Sequence, residues 1–260
     1  MSAAEDNRKL IFPVEQPDGS LFAAKLRYWW CWTVAATLLL VIGIPSLLFL
    51  WLINKQRALY PIALWGARTW LRACGARLKV RGLKNLDPDQ QYVFASNHRS
   101  YLDTAALFVA TGKRIGLVAK KELLKVPVLG QGMGFVNIIA IDRSNPERAM
   151  HSMERARAIV GEGYSFGVFV EGTRAMAGEL LPFKKGAFYL ALQTHVPIVP
   201  VAIKNTDRMM AKKAGVAYPG DIEVIIMPPI STVDKTAEDV MDLLLQTRAA
   251  IAARLSLDTK

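Results

Sequence analysis

Three stretches of the chain carry side chains whose types and spacing suit acid–base and anion chemistry. The first is Ser96-Asn97-His98-Arg99-Ser100-Tyr101-Leu102-Asp103. It follows a short apolar run, Tyr92 to Ala95, and precedes a helical pattern from Thr104 to Thr111. Ser100 reads as the helix N-cap and Asp103 as the carboxylate of an S-x-x-D capping signature. His98 then lies in the loop, two residues ahead of the helix. Inside one helix, positions i and i+5 point apart. A strand-to-helix bend lets the Asp103 carboxylate turn back onto the imidazole, fix its tautomer and leave the other ring nitrogen free to take a proton from an alcohol or water. Taken alone, the spacing equally fits a loop histidine beside a capping aspartate.

The second stretch is Phe169-Val170-Glu171-Gly172-Thr173-Arg174, which leaves an apolar run and enters a loop punctuated by glycine and proline. Arginine offers a planar fork of donors and glycine lets the backbone approach an anion closely, so this segment can grip a phosphate. Glu171 would hold the arginine or order the loop. In isolation the four residues also read as a surface loop with one ion pair. The third stretch runs from Lys120-Lys121-Glu122 to Ile141-Asp142-Arg143 and places basic residues at two strand ends, where ligands sit in open α/β sheets. Its plain alternative is a charged helix start and a capping pair. Val196-Pro197-Ile198-Val199-Pro200-Val201 carries no chemistry; two prolines three apart suggest an edge or bulged strand forming a pocket wall.

These residues need a scaffold. From residue 76 the pattern alternates. Strands are expected at 77–80, 92–95, 115–119, 138–141, 167–170, 198–203 and 223–227, and helices at 101–111, 128–134, 146–161, 186–195 and 237–255. Such alternation implies an α/β domain over 76–260, with a mixed, mainly parallel sheet flanked by helices. In the last helix Thr236 can cap, and Val240, Leu244, Thr247, Ile251 and Leu255 form the inner face. Residues 1–28 read as a polar, loosely held N-terminal tail. Residues 29–75 read as a membrane-inserted two-helix segment. Trp29 to Ile53 holds 25 residues without a charge, enough at about 1.5 Å each to cross a core of about 30 Å. Trp29, Trp30 and Trp32 mark one end and Trp51 the other, as interfacial aromatics do. Gly43 and Pro45 leave a kinked or hairpin arrangement open. The helix after it carries Arg57, Arg68 and Arg72 on one stripe and Leu59, Ile62, Ala63 and Trp70 opposite, the make-up of an interfacial helix.

The net charge of +11 is uneven. Residues 54–81 hold seven basic residues and no acid, while 221–242 hold six acids against Lys235, so a polyanion on one side is expected. An apolar segment adjoins the arginines and no recognition motif accompanies them, which argues against nucleic acid. The two cysteines lie in unlike settings and no metal-ligand spacing is present, so neither a disulfide framework nor a metal is expected.

In order, these stretches resemble the glycerophospholipid acyltransferase family, in particular the bacterial-type enzymes that acylate 1-acyl-sn-glycerol 3-phosphate. Asn97, His98 and Asp103 match its N-H-x4-D pattern. Ala119, Lys120, Glu122, Leu123 and Ile141 to Arg143 match the next block. Phe169 and Glu171 to Arg174 match F-P-E-G-T-R, with Val170 in place of the usual proline, and Val196 to Val201 match V-P-I-V-P-V in full. The resemblance covers about residues 76–205. It implies the glycerolipid acyltransferase fold, with His98 as general base on the sn-2 hydroxyl of a lysophosphatidate and Asp103 orienting it. It also implies that Lys120 and Arg174 hold the glycerol phosphate, assisted by Thr173 and the Gly172 backbone, with Glu171 and Arg143 at the same site. The acyl donor would be acyl-CoA or acyl-carrier protein, with no other cofactor. The partners would be the lysolipid and a phospholipid bilayer, and the place the inner membrane with the catalytic domain facing the cytoplasm. The basic residues flanking the apolar run are too evenly divided to orient it independently.

Rival readings remain within and beyond that family. Glycerol 3-phosphate, another lysophospholipid or a lyso-ornithine lipid could be the acceptor, or the protein could bind membranes without catalysis on the same fold. Gly163-Tyr164-Ser165-Phe166-Gly167 matches the G-x-S-x-G nucleophile elbow. That elbow needs a strand before and a helix after, and the order here is reversed. His151 and His195 read as a solvated helix residue and a helix C-terminal residue.

Overall fold

The computed structural model describes residues 3–15, 17–55, 58–120, 138–141 and 146–256. Among them, seven strands form one sheet: β1 (Ala76–Arg81), β2 (Val93–Ser96), β3 (Ile115–Lys120), β4 (Ile138–Ile141), β5 (Ser165–Phe169), β6 (Ile198–Lys204) and β7 (Gly220–Ile226). The order is β1-β7-β6-β2-β5-β3-β4. Every neighbouring pair is parallel except β6–β7. The mixed, mainly parallel sheet expected from the alternating pattern is therefore present.

The helices are α1 (Leu21–Leu52), α2 (Leu59–Ala73), α3 (Leu102–Ala110), α4 (Pro146–Gly161), α5 (Gly186–Thr194), α6 (Thr206–Met210) and α7 (Val240–Ser256). They cover both sheet faces, and the two-residue strand period sorts the core between them. Val93, Ala95, Ile198 and Ala202 pack with α4, α5 and α7. Phe94, Val199, Val201 and Ile203 point the other way and pack with α2 and α3. Val240, Leu244, Thr247, Ile251 and Leu255 are all buried, as the spacing predicts. Thr236 caps the turn before α7: its Oγ1 accepts from Glu238 N at 3.3 Å while Asp239 Oδ2 accepts from Thr236 N at 2.7 Å. The helix expected at 128–134 lies outside the described residues.

The apolar helix begins at Leu21, eight residues earlier than the uncharged run, and continues without a hairpin to Leu52. It is long and apolar enough to cross a membrane. Hydrogen bonding shifts to the π pattern over Leu38–Gly43, just ahead of Pro45, whose ring has no N–H to offer. The segment up to Trp32 is docked. Trp70 Nε1 donates to the Cys31 carbonyl at 2.8 Å, and Trp30 Nε1 donates to that of Ala73 at 3.1 Å. Leu47 and Leu50 meet Leu59 and Ile62, so α1 and α2 form an antiparallel pair. Beyond Thr37, Leu39, Leu40, Val41, Leu48, Phe49, Trp51 and Leu52 stay exposed. Trp32 thus belongs to the packed base of the helix rather than to a free aromatic belt.

Three expectations change. Part of the uneven charge is paired within the sheet: three of the seven basic residues meet two of the six acids. The parallel register sets Arg77 beside Asp221 and Lys79 beside Glu223. Arg77 and Lys79 pair with Asp221 at 2.5 and 2.6 Å, and Arg81 pairs with Glu223 at 2.9 Å. Lys79 and Arg77 hold the Asp221 carboxyl below its ordinary range. Next, the proline-bearing strand is central. β6 lies between β2 and β7 and is fully buried. The Pro200 carbonyl accepts from Met227 N at 3.0 Å, so its ring nitrogen faces the same side. The proline cannot return that bond, and pairing resumes one residue out of step at Ile198–Ile230. The strand is therefore bulged there, as expected, but not an edge, and Pro200 lines a pocket with Met227 and Ile230.

The third change concerns the tail, which is not loose. Leu10–Ile11 pairs antiparallel with Glu179–Leu180, and Phe12 N donates to the Gly178 carbonyl at 2.7 Å. Gly178 has φ +76°, and a Cβ there would collide with the Phe12 carbonyl. Asn7 bonds Phe183 in both directions, at 3.1 and 2.8 Å. The buried Arg248 guanidinium donates to the carbonyls of Leu181 at 2.8 Å, Asp6 at 3.2 Å and Arg8. Replacing it by methionine keeps the bulk and strands those carbonyls. Arg248→Met is expected to cost about 2–4 kcal/mol in urea unfolding and to open the chain before Phe12 to limited proteolysis.

Candidate active site

The parallel register of β2 and β5 sets Ser96 beside Phe169. The loops leaving these strands therefore emerge side by side at the carboxyl edge of the sheet, where ligands bind in open α/β folds. Both loops are tied down. Asn97 is buried and bridges to β6, its Nδ2 donating to the Ile203 carbonyl at 2.9 Å and its Oδ1 accepting from Ile203 N at 2.8 Å. Ala175 N donates to the His98 carbonyl at 2.8 Å. His98 N and Leu181 N each donate to a different oxygen of Glu171 at 2.6 Å.

The His98 ring is held on two sides. Its Nδ1 lies 2.9 Å from Asp103 Oδ2, and its plane stacks on Phe169 with centroids 3.9 Å apart. Oδ2 also accepts from Arg99 N at 2.6 Å and Ser100 N at 2.7 Å. An oxygen that accepts from two backbone amides calls for a donor in its third partner, so Nδ1 carries the proton and Nε2 presents a lone pair. The His98 side chain is 16% exposed and that of Asp103 0%. This is the arrangement of a general base oriented by a buried carboxylate. The helix starts one residue later than expected, with Tyr101 at the N-cap. Ser100 still serves the turn, its Oγ accepting from Leu102 N at 3.2 Å and donating to the Met210 carbonyl at 2.7 Å.

Arg174 stands at the same edge. Its guanidinium lies over the Tyr101 ring, 3.5 Å from the centroid, and its Nη1 is buried without a hydrogen-bond partner among the described residues. Lys212 Nζ donates to its carbonyl. A half-buried cation with a spare donor, beside an oriented imidazole, suits a substrate bearing both an anionic group and a hydroxyl.

Comparison with known proteins agrees with this geometry. The sequence model of the family described as acyltransferase matches residues 77–204, which contain both loops. The chain is 38% identical over 168 residues to the mouse 1-acyl-sn-glycerol-3-phosphate acyltransferase alpha, covering 64% of this chain and 59% of that protein. It is 40% identical over 187 residues to the 1-acyl-sn-glycerol-3-phosphate acyltransferase of Limnanthes douglasii, covering 71% and 64%. The chain belongs to the glycerophospholipid acyltransferase family. The aligned stretch spans less than two thirds of either relative's length. The fold matches the crystal structure of the 1-acyl-sn-glycerophosphate acyltransferase PlsC from Thermotoga maritima with a TM-score of 0.75 at 21% identity, over 90% of this chain and 95% of that one.

Within this acyltransferase-family site, the structure brings together His98, Asp103, Glu171, Gly172, Thr173 and Arg174. Lys120 ends β3, two strands from β2, at the same sheet edge. Its side chain and all of Arg143 lie outside the described residues. Of the two roles expected of Glu171, it orders the loop and does not hold the arginine: both oxygens accept from backbone amides, so it is placed at the site as an anchor rather than as a substrate ligand. The Gly172 N–H donates to the Phe169 carbonyl at 3.0 Å, within its own turn, while Thr173 is exposed. Ser165 starts β5, and its buried Oγ accepts from Tyr92 N at 3.1 Å, so no nucleophile elbow exists there. His195 is the exposed C-cap of α5; the side chain of His151 lies outside the described residues.

The roles of Phe169, Arg99 and Tyr101 escaped the sequence reading. Arg99 Nη1 pairs with Asp207 at 3.2 Å, and its Nε donates to the Glu179 carbonyl at 2.7 Å. Phe169 was legible only as a motif position, without its stacking on His98, and the partners of Arg99 and Tyr101 lie far along the chain.

Burial pushes the Glu171 carboxyl up to about 7, opposed by its bonds from Leu181 N and His98 N and by Arg99. A raised folded pKa means that the native state holds a proton the unfolded chain has lost, from about pH 4.5 to about 7. That stabilising contribution is full below the lower value and fades as pH rises through the upper one. The protein should therefore lose about 3 kcal/mol between pH 4.5 and 7.5 relative to Glu171→Gln, which cannot titrate. Urea midpoints of the two proteins across that range give the difference, and parallel curves would show that Glu171 does not titrate there.

Proposed function

We propose that this chain transfers an acyl group from acyl-CoA or acyl-carrier protein to the sn-2 hydroxyl of 1-acyl-sn-glycerol 3-phosphate, giving phosphatidic acid. The observation that carries the proposal is the His98–Asp103 pair, at 2.9 Å, beside the spare donor of Arg174. The names of the mouse and Limnanthes relatives supply the acceptor. His98 Nε2 takes the proton of the hydroxyl as its oxygen attacks the thioester carbonyl. Asp103 holds the imidazole in the right tautomer and stabilises the imidazolium. The tetrahedral adduct then collapses, the C–S bond breaks, and the imidazolium returns its proton to the leaving thiolate. No acyl-enzyme forms. Arg174 and Lys120 hold the phosphate with help from Thr173, and Arg143 is the further candidate for the same task.

The exposed apolar length of α1 would sit in the inner membrane, with the α/β domain on the cytoplasmic side where acyl donors are made. A lysolipid is already in that bilayer, so the acceptor need not leave it.

The test is acyl transfer by protein purified in detergent, from labelled acyl-CoA and from labelled acyl-carrier protein. The acceptors are lysophosphatidate, glycerol 3-phosphate and lysophosphatidylethanolamine. Lysophosphatidate should be preferred, and His98→Ala should lose roughly 10²–10⁴-fold in kcat. Preference for another acceptor would keep the chemistry and replace the substrate. Transfer to none of them would favour a membrane-binding protein without catalysis.

A further inference from the structure

Tyr101 fills the x4 gap between His98 and Asp103 and belongs to no motif position. Its ring faces the Arg174 guanidinium at 3.5 Å and meets Trp32 of α1 edge to face, with centroids 5.0 Å apart. Trp32 in turn packs on Trp70 of α2 at 6.3 Å. The Tyr101 hydroxyl makes no hydrogen bond among the described residues, so its ring is what the site uses. The main chain around Arg174 is fixed without it, by Lys212 Nζ on the Arg174 carbonyl and by Ala175 N on that of His98. Its long side chain would otherwise choose among many rotamers, and a buried, unpaired guanidinium donor is costly to keep. A cation held against an aromatic face keeps its N–H groups in the ring plane's direction, free for an anion.

We propose that Tyr101 is the positioning residue for Arg174, aiming it at the phosphate of the acyl acceptor, and that Trp32 braces Tyr101 from the apolar helix. This rests on the acceptor reading above. It makes the docked base of α1 part of the acceptor site, so the segment that reaches the bilayer also sets how tightly a lysolipid headgroup is held. The donor site and the proton transfer do not pass through this stack.

The test measures steady-state kinetics of Tyr101→Leu, Tyr101→Phe, Trp32→Leu and Arg174→Ala, and of Tyr101→Leu combined with Arg174→Ala. The acceptor is whichever lysophospholipid the unmodified protein acylates. A wrong headgroup thus shows in the unmodified protein, and a wrong role for Tyr101 shows only in the variants. Tyr101→Leu should raise the acceptor KM about five- to tenfold while the donor KM and kcat stay within about twofold. Tyr101→Phe, which keeps the ring face, should restore the acceptor KM, and Trp32→Leu should raise it by a smaller factor. In the Arg174→Ala background the Tyr101 change should add nothing. An unchanged acceptor KM in Tyr101→Leu, an equal loss in Tyr101→Phe, equal damage to both substrates, or an additive effect without Arg174 would each overturn the proposal. An unchanged Trp32→Leu would remove the brace.

Discussion

One buried oxygen decides the shape of the site. Asp103 Oδ2 takes three N–H donors, from the His98 ring, Arg99 and Ser100, all between 2.6 and 2.9 Å. Two of these are backbone amides at the mouth of α3, which have no partner within the helix. The carboxylate supplies one to each and turns the chain sharply from β2 into α3. That same turn brings the imidazole over Phe169 and fixes its proton on Nδ1. The turn ahead of the α3 N-cap and the tautomer of the His98 ring are both set by one group, so the loop cannot be reshaped without disturbing the imidazole.

Glu171 does the matching task across the sheet. It sits buried between two amides from distant parts of the chain, His98 and Leu181, and so joins the β2 loop to the segment after Arg174. That segment is in turn clasped by residues 5–12 and by Arg248. Arg99 completes the tie, reaching Asp207 and the Glu179 carbonyl, with Phe12 5.5 Å beneath it. Buried charges of this kind are costly unless partnered; both Glu171 oxygens are bonded, while Arg99 is bonded through Nε and Nη1 and leaves Nη2 without a partner among the described residues. Here their partners are mostly backbone groups of the loops that must not move.

The sheet was legible because its strands announce themselves locally. Continuous apolar runs bounded by turn residues gave Ile138–Ile141 to the residue and the other strands within three residues at either end. His98, Asp103 and Arg174 were legible as motif positions. The rest depends on contacts between residues far apart. The Arg77–Asp221 pair spans 144 positions and the Arg248 bond to Arg8 spans 240, and no local pattern encodes either. Composition was blind to pairing for the same reason: Arg77, Lys79 and Arg81 read as free cations until the parallel strand brings Asp221 and Glu223 beside them. Pro200 misled about the edge because proline in a central strand is rare, and its tolerance depends on where the neighbouring ladder shifts register.

The apolar helix shows how a segment long and apolar enough to cross a membrane can be tied to the domain beside it. α1 is 32 residues long, about 48 Å at 1.5 Å per residue, well beyond a hydrocarbon core of about 30 Å. The surplus is the docked part before Thr33, where Ala24 and Cys31 are buried and Trp30 and Trp32 bond or pack onto the domain. The helix is continuous from its docked base to its exposed end, with the π turn ahead of Pro45 the one place in it built to bend. The orientation of the catalytic edge relative to the apolar end is therefore set by packing at Trp32, Trp70 and Tyr101 and by that turn rather than by a linker. Since Tyr101 is also the N-cap of α3, two residues of one turn separate the side chain that meets the apolar helix from the imidazole of His98.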